Sequence, residues 1–314
     1  MKKWFAGILI LVAVFLGGSY LVIPSNLKIT RISYINCTSG GGFRSLSAIE
    51  NWRKWWPENP KGTPADTGRI FQYNNDTYQV GPLFRDAFKI NIRHKSSRIS
   101  SLFVIIPLSN DSMAVEWHTV LAMGVNPYKR LTRYLEADVI KSNMSAILDH
   151  MRQFLENSDN VYGIHISKIS TKDTFLVATK SDFHSYPTTA DIYRLVNNLK
   201  KYITLNNAVE TDPPIMNITR NVDQDYTLMV AIPTNRELPG KDAIFYRRMV
   251  PGHFLELEVK GGNDAVNQAF KKMQNFISDH QQTVMAIPFE SLVTDRSQEP
   301  DSLKWVTRIY QPAF

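Results

Sequence analysis

Residues 225–233 read DYTLMVAIP and residues 304–312 read KWVTRIYQP. Each run is strand-like, rich in β-branched and aromatic residues, and closed by a proline. Each is preceded by a second short strand-like segment, Pro214-Ile215-Met216 in one case and Pro288-Phe289-Glu290 in the other. Working outward, both pairs follow an amphipathic helix pattern. Ile192, Leu195, Val196, Leu199 and Tyr202 define the first, and Val266, Ala269, Phe270, Met273, Phe276 and Ile277 the second. Upstream again lie strand patterns over 174–179 in the first case, and over 244–250 and 253–259 in the second. The order strand, helix, strand, strand therefore occurs twice within residues 161–314, an internal duplication. Two such halves pack their helices on one side of a joined antiparallel sheet, and the cleft along the pseudo-twofold line suits a small ligand.

The chain before this duplication reads differently. Residues 27–38, LKITRISYINCT, alternate as a strand and run into Gly40-Gly41-Gly42, which reads as a turn. A helix is expected over 43–56, stopped by Pro57, followed by strands over 68–73, 77–81, 87–93, 100–107 and 113–123. An amphipathic helix over 126–157 closes the segment, with Ile140, Met144, Ile147, Met151, Phe154 and Leu155 spaced by threes and fours. Residues 27–160 thus form one domain of meandering antiparallel strands and a long helix. Residues 4–23, WFAGILILVAVFLGGSYLVI, carry no charge and are long enough for one transmembrane helix. The expectation for residues 1–26 is a single-pass membrane anchor, with Lys2 and Lys3 favouring an exported body. A cleaved signal peptide is the competing reading.

The full chain has 314 residues, 43% hydrophobic and 21% charged, which excludes a disordered or fibrous protein. One cysteine, Cys37, excludes an internal disulfide and a cysteine-based zinc site. The net charge of +7 is spread along the chain and does not form a nucleic-acid footprint. No phosphate loop, dinucleotide fingerprint, HExxH or GxSxG occurs, and the seven histidines show no metal-binding spacing. The expectation is no metal, no cofactor, no assigned catalytic residue and no nucleic-acid partner, with any protein partner unknown.

The run Trp52-Arg53-Lys54-Trp55-Trp56-Pro57, with the final helix at Ser142 to Leu148, resembles the START-like superfamily of polyketide cyclases and lipid-transfer proteins (SRPBCC). That resemblance implies a helix-grip fold, a curved antiparallel sheet around a long C-terminal helix, with an apolar cavity beneath it. The competing reading of the tryptophans is that they plug the core. Residues 162–314 resemble the GyrI-like family, the effector-binding module also found in AraC-type activators. The likeness rests on Pro251-Gly252-His253-Phe254, Pro288-Phe289-Glu290, Thr294-Asp295 and the closing Trp305 to Pro312. It implies an acidic residue in an aromatic-lined cleft, which falls on Glu290.

A carboxylate among aromatics suits a lipophilic cation, which relieves the desolvation of the carboxylate and is drawn to ring faces. The candidate ligand-binding residues are Glu290, Trp305, Tyr310, Tyr246 and Phe254, with Tyr193 and Tyr226 from the first half. For Glu290 the competing reading is a solvated strand residue paired with Arg308. For Trp305, Tyr310 and Tyr226 it is core packing. The expected fold class is α+β: a transmembrane helix, a helix-grip domain, then the duplicated module. The expected function is a membrane-anchored, non-enzymatic protein that captures lipophilic or cationic small molecules. The alternative is a hydrolase or cyclase with Glu290 as acid or base.

Overall fold

The computed structural model describes residues 17–313 except 19, 21, 59–67, 173, 223, 224, 250 and 285. The chain is α+β and divides into two compact units, Met1–Val161 and Tyr162–Phe314. Among the described residues no helix is long and apolar enough to cross a membrane. This corrects the expected transmembrane helix and the single-pass membrane location. The longest described helix, Pro127–Leu155, has 29 residues, but Arg133, Glu136, Asp138 and Lys141 interrupt its middle. Most of the expected span at 4–23 lies outside the described residues.

The first unit opens with β1 (Asn26–Ile35), then two short helices, α1 (Ser39–Ser47) and α2 (Ile49–Trp55). Strands β2 (Ile70–Tyr73), β3 (Asp76–Phe84), β4 (Ala87–His94), β5 (Ser97–Pro107) and β6 (Met113–Ala122) follow, and then the long helix α3 (Pro127–Leu155). The sheet order is β1-β6-β5-β4-β3-β2, and every neighbouring pair is antiparallel. Asn126 caps α3, its side chain accepting from the amides of Tyr128 and Lys129, with Pro127 in the first turn.

Two local expectations change here. The glycines at 40–42 are helical, not a turn: they lie in α1, and a Cβ on Gly42 would stand 2.1 Å from Met113 Sδ. The absence of a side chain at Gly42 lets α1 lie close against Met113 of β6. The helix expected over 43–56 is also broken, because Ala48 is extended (ψ 99) between α1 and α2.

The break delivers three tryptophans into the interior. Trp52 is fully buried, with the rings of Trp55, Phe88, Phe103, Phe71 and Trp56 at centroid distances of 4.9, 5.1, 5.3, 5.9 and 6.2 Å. Its indole N–H donates to the Leu46 carbonyl at 2.7 Å, and that of Trp56 to the Gln72 carbonyl at 2.7 Å. The three tryptophans pack with Phe71, Tyr78, Phe88 and Phe103 in the core of this unit.

A short helix, α4 (Ser158–Tyr162), leads into the second unit. There the chain runs β7 (Ser167–Thr171), β8 (Thr174–Phe183), α5 (Thr189–Leu205), β9 (Ile215–Arg220) and β10 (Tyr226–Thr234). It then repeats as β11 (Ile244–Met249), β12 (Gly252–Lys260), α6 (Asn263–Asp279), β13 (Phe289–Leu292) and β14 (Val306–Pro312). The repeat is therefore five elements long, with β7 added to the four-element pattern expected from sequence. All eight strands join one sheet in the order β11-β8-β10-β9-β13-β14-β12-β7. The first strand of each half is exchanged: β7 pairs with β12, and β11 with β8.

Both helices cover one face. α5 buries Ile192, Leu195, Val196, Leu199 and Ile203, and a Thr188–Asp191 capping box starts it. α6 buries Val266, Ala269, Met273, Phe276 and Ile277. The halves meet at the centre of the sheet through two register pairs, Glu290↔Met216 and Ser291↔Ile215.

Candidate functional site

The central seam is short, and that creates the site. On one side of Glu290, β9 and β13 are held by the Leu292 amide donating to the Pro214 carbonyl at 2.8 Å. On the other side the ladder stops, and the Asn217 side-chain amide bridges to the Pro288 carbonyl at 2.8 Å. Where the strands part, a cavity of about 230 Å³ opens on the helix-covered face. Met216 and Ile218 from β9, Ile309 from β14 and Val266 and Phe270 from α6 supply apolar walls. Glu290, Tyr186 from the loop before α5, Asn217 from β9 and Asn267 from α6 supply the polar groups, and Pro288 and Phe289 complete the rim.

Side-chain alternation explains why Glu290 points there. It opposes Ile309 and Met216, both buried beneath the helices, whereas its neighbour Phe289 opposes Tyr310 on the other face.

Glu290 does not stand alone. Its Oε2 lies 3.8 Å from Nη2 of Arg296, whose side chain is 1% exposed against 25% for Glu290. Arg296 is fixed from several sides. Its Nη2 donates to Thr307 Oγ1 at 2.8 Å, and its guanidinium carbon lies 4.9 Å from the Trp305 ring centroid. Its backbone N–H donates to the Tyr193 hydroxyl at 2.7 Å, and that hydroxyl in turn donates to the Thr294 carbonyl at 3.2 Å. Arg296 Nε is buried without a hydrogen-bond partner.

Burial pushes the Glu290 carboxyl above its ordinary range, and the Arg296 charge pulls it partly back. Burial likewise lowers the Arg296 guanidinium, opposed by Glu290. The Tyr186 hydroxyl is raised by burial and then by Glu290, so it stays a neutral donor at ordinary pH.

The seven residues singled out from sequence are placed as follows. Glu290 lines the cavity. Tyr226 packs edge-on against Tyr186 at 5.6 Å, one ring removed from it. Tyr193 and Trp305 reach the site only through Arg296, as brace and stacking platform. Tyr310 and Phe254 stand on the opposite face of the sheet, each against Phe289 at 5.0 and 5.9 Å. Tyr246 lies on the edge strand β11, 6.4 Å from Phe175. Arg308 is not the partner of Glu290: it faces away and its Nε donates to Glu258 Oε2 at 3.0 Å.

Sequence reasoning missed Tyr186, Phe270 and Arg296 as site residues. Phe270 belonged to a recognised apolar helix face, but nothing in its spacing told core from cavity wall. Arg296 and Tyr186 lie in loops, where no periodicity reports direction.

In the first unit a groove of about 560 Å³ lies between the ends of β5 and β6 and α3, with Arg98, Arg133, Glu136 and serines 96, 97 and 100 among its lining. Ile99, Val120, Leu121 and Ile140 also line it, and its Glu136 pairs with Lys95 at 3.7 Å.

No family model matches the chain, and no curated protein matches it. Several solved structures are similar at low identity. The EcmrR C-terminal domain is 11% identical, with 48% of this chain and 98% of that one covered and a TM-score of 0.42. A putative bacterial transcription regulation protein from Staphylococcus aureus is 15% identical over 48% of this chain and 99% of its own, with a TM-score of 0.31. SAV2435 bound to tetraphenylphosphonium is 14% identical over 48% and 94%, with a TM-score of 0.31.

Proposed function

We propose that this chain is a small-molecule-binding protein, not an enzyme, whose GyrI-like second unit holds a lipophilic ligand in the cavity at Glu290. The observation that carries this reading is the cavity itself, opened where the seam parts, walled by aliphatic and aromatic side chains together with Asn217 and Asn267, and containing one partly desolvated carboxyl. An apolar cavity of roughly 150 Å³ already accepts a benzene-sized molecule. At about 230 Å³ the site suits a ligand of one or two rings. The START-like first unit, whose tryptophans pack in its core, is assigned a supporting role.

The test is thermal unfolding of the purified chain against a library of lipophilic compounds, repeated on Phe270→Trp, which enlarges a wall residue into the cavity. A ligand at 100 times its Kd stabilises by about 2.7 kcal/mol. The expected result is a raised midpoint for some compounds that vanishes in the variant. No shift with any compound, or an equal shift in Phe270→Trp, overturns the assignment. Turnover of any hit by the wild type but not by Glu290→Gln would support the hydrolase or cyclase alternative instead.

A further inference from the structure

We propose that the cavity selects uncharged aromatic ligands that donate a hydrogen bond, and excludes permanent cations, because Arg296 is a built-in counter-ion for Glu290. The inference rests on the cavity reading above and specifies its ligand class.

A lone desolvated carboxylate gains from any cation brought beside it. Here that place is taken: Arg296 lies 3.8 Å from the carboxylate, so the pair presents no net charge to a ligand. A cationic ligand would be a second positive charge beside the first, in surroundings that screen it poorly. Arg296 cannot withdraw cheaply, since Thr307 Oγ1 accepts from it, Trp305 stacks on it and its side chain is 1% exposed. What the carboxylate still offers is acceptor capacity. Two oxygens can accept several hydrogen bonds, and Glu290, whose side chain is 25% exposed, lines the cavity with that capacity. A phenol, indole or anilide places a ring against Phe270 and Ile218 and an O–H or N–H toward Glu290.

Three probes of nearly equal shape separate the terms: 4-tert-butylphenol, tert-butylbenzene and the phenyltrimethylammonium ion, titrated calorimetrically into the intact chain. The wild type is expected to bind the phenol most tightly, the hydrocarbon less, and the cation at least about tenfold more weakly than the phenol. In Arg296→Met the order of cation and hydrocarbon is expected to reverse, and in the Arg296→Met, Glu290→Gln double variant the cation is expected to lose that gain. A wild type that binds the cation as tightly as the phenol overturns the proposal, and this comparison needs no variant to fold. A wild type that binds none of the three, while remaining folded by circular dichroism, removes the cavity reading and this selectivity with it.

Discussion

The Glu290–Arg296 pair makes a quantitative prediction about stability that is independent of any ligand. Two unit charges 3.8 Å apart attract by about 4 kcal/mol at an effective dielectric of about 20. Glu290 keeps a quarter of its side chain in solvent, which reduces this, and we expect a coupling of about 2 kcal/mol. Arg296→Met leaves the carboxylate without its partner and strips Trp305 of its stacked cation, for a loss of about 3 kcal/mol. Glu290→Gln leaves the guanidinium uncompensated but spares the desolvation of the carboxylate, which outweighs the pull of Arg296, so its own cost is below about 0.5 kcal/mol. The double variant is then expected at about 1.5 kcal/mol rather than the sum of about 3.5, the shortfall being the coupling of about 2 kcal/mol. The assay is urea unfolding at about pH 8, read by hydrogen-exchange mass spectrometry on peptides from β13 and β14 so that the second unit is followed by itself. Effects that add to within about 0.5 kcal/mol would show two charges that do not feel each other. The argument that Arg296 neutralises the site would then lose its basis.

Two further outcomes are expected. The native state holds the Glu290 proton more tightly than the unfolded chain does, since burial raises this carboxyl. That contribution to stability is full below the ordinary glutamate value and is lost as pH rises through the raised folded value. The urea midpoint of the second unit therefore falls by more across this window in the wild type than in Glu290→Gln, and parallel pH profiles for the two would contradict the assignment. In the first unit, Trp52→Ala removes the ring at the centre of the aromatic cluster and leaves the Leu46 carbonyl without its donor. A loss of about 4 kcal/mol is expected, with Trp52→Phe costing about half as much, both from urea midpoints read on first-unit peptides.

The parts of this fold legible in the sequence were those with a period. The apolar spacing of residues 192–202 and 266–277 marked two helices, and the paired strands after each exposed the duplication. Glu290 was singled out by the resemblance and not by alternation, and the face its carboxyl takes follows from its register against Ile309 and Met216. What failed to read through was the effect of tertiary contact on local signals. Three glycines in succession signal a turn, but 40–42 lie in a helix, and at Gly42 Met113 occupies the space a side chain would need. The strand β7 has three half-buried and two exposed residues, none fully buried, and is held by pairing with β12, so its own sequence carries a weak signal. Tyr310 and Phe254 belonged to strands that pass the site, yet the pleat turns them to the far face. Arg296 lies only six positions beyond Glu290, but the contact depends on a loop held by Tyr193, 103 residues away in sequence.

The exchange of β7 and β11 has a consequence for what counts as a module here. A fragment ending before β11 would hold β7 with no neighbour and β8 with a bare outer rim, and the complementary fragment would have the mirror defect. The duplicated sequence is thus a mutual clasp, and neither copy is a separable inheritance unit. Two chains cut between β10 and β11 are complements that close around one another, each supplying the selvedge of the other's fabric. The seam that carries Glu290 is bracketed by these two outer fastenings. The halves are therefore tied together at both outer edges as well as at the seam.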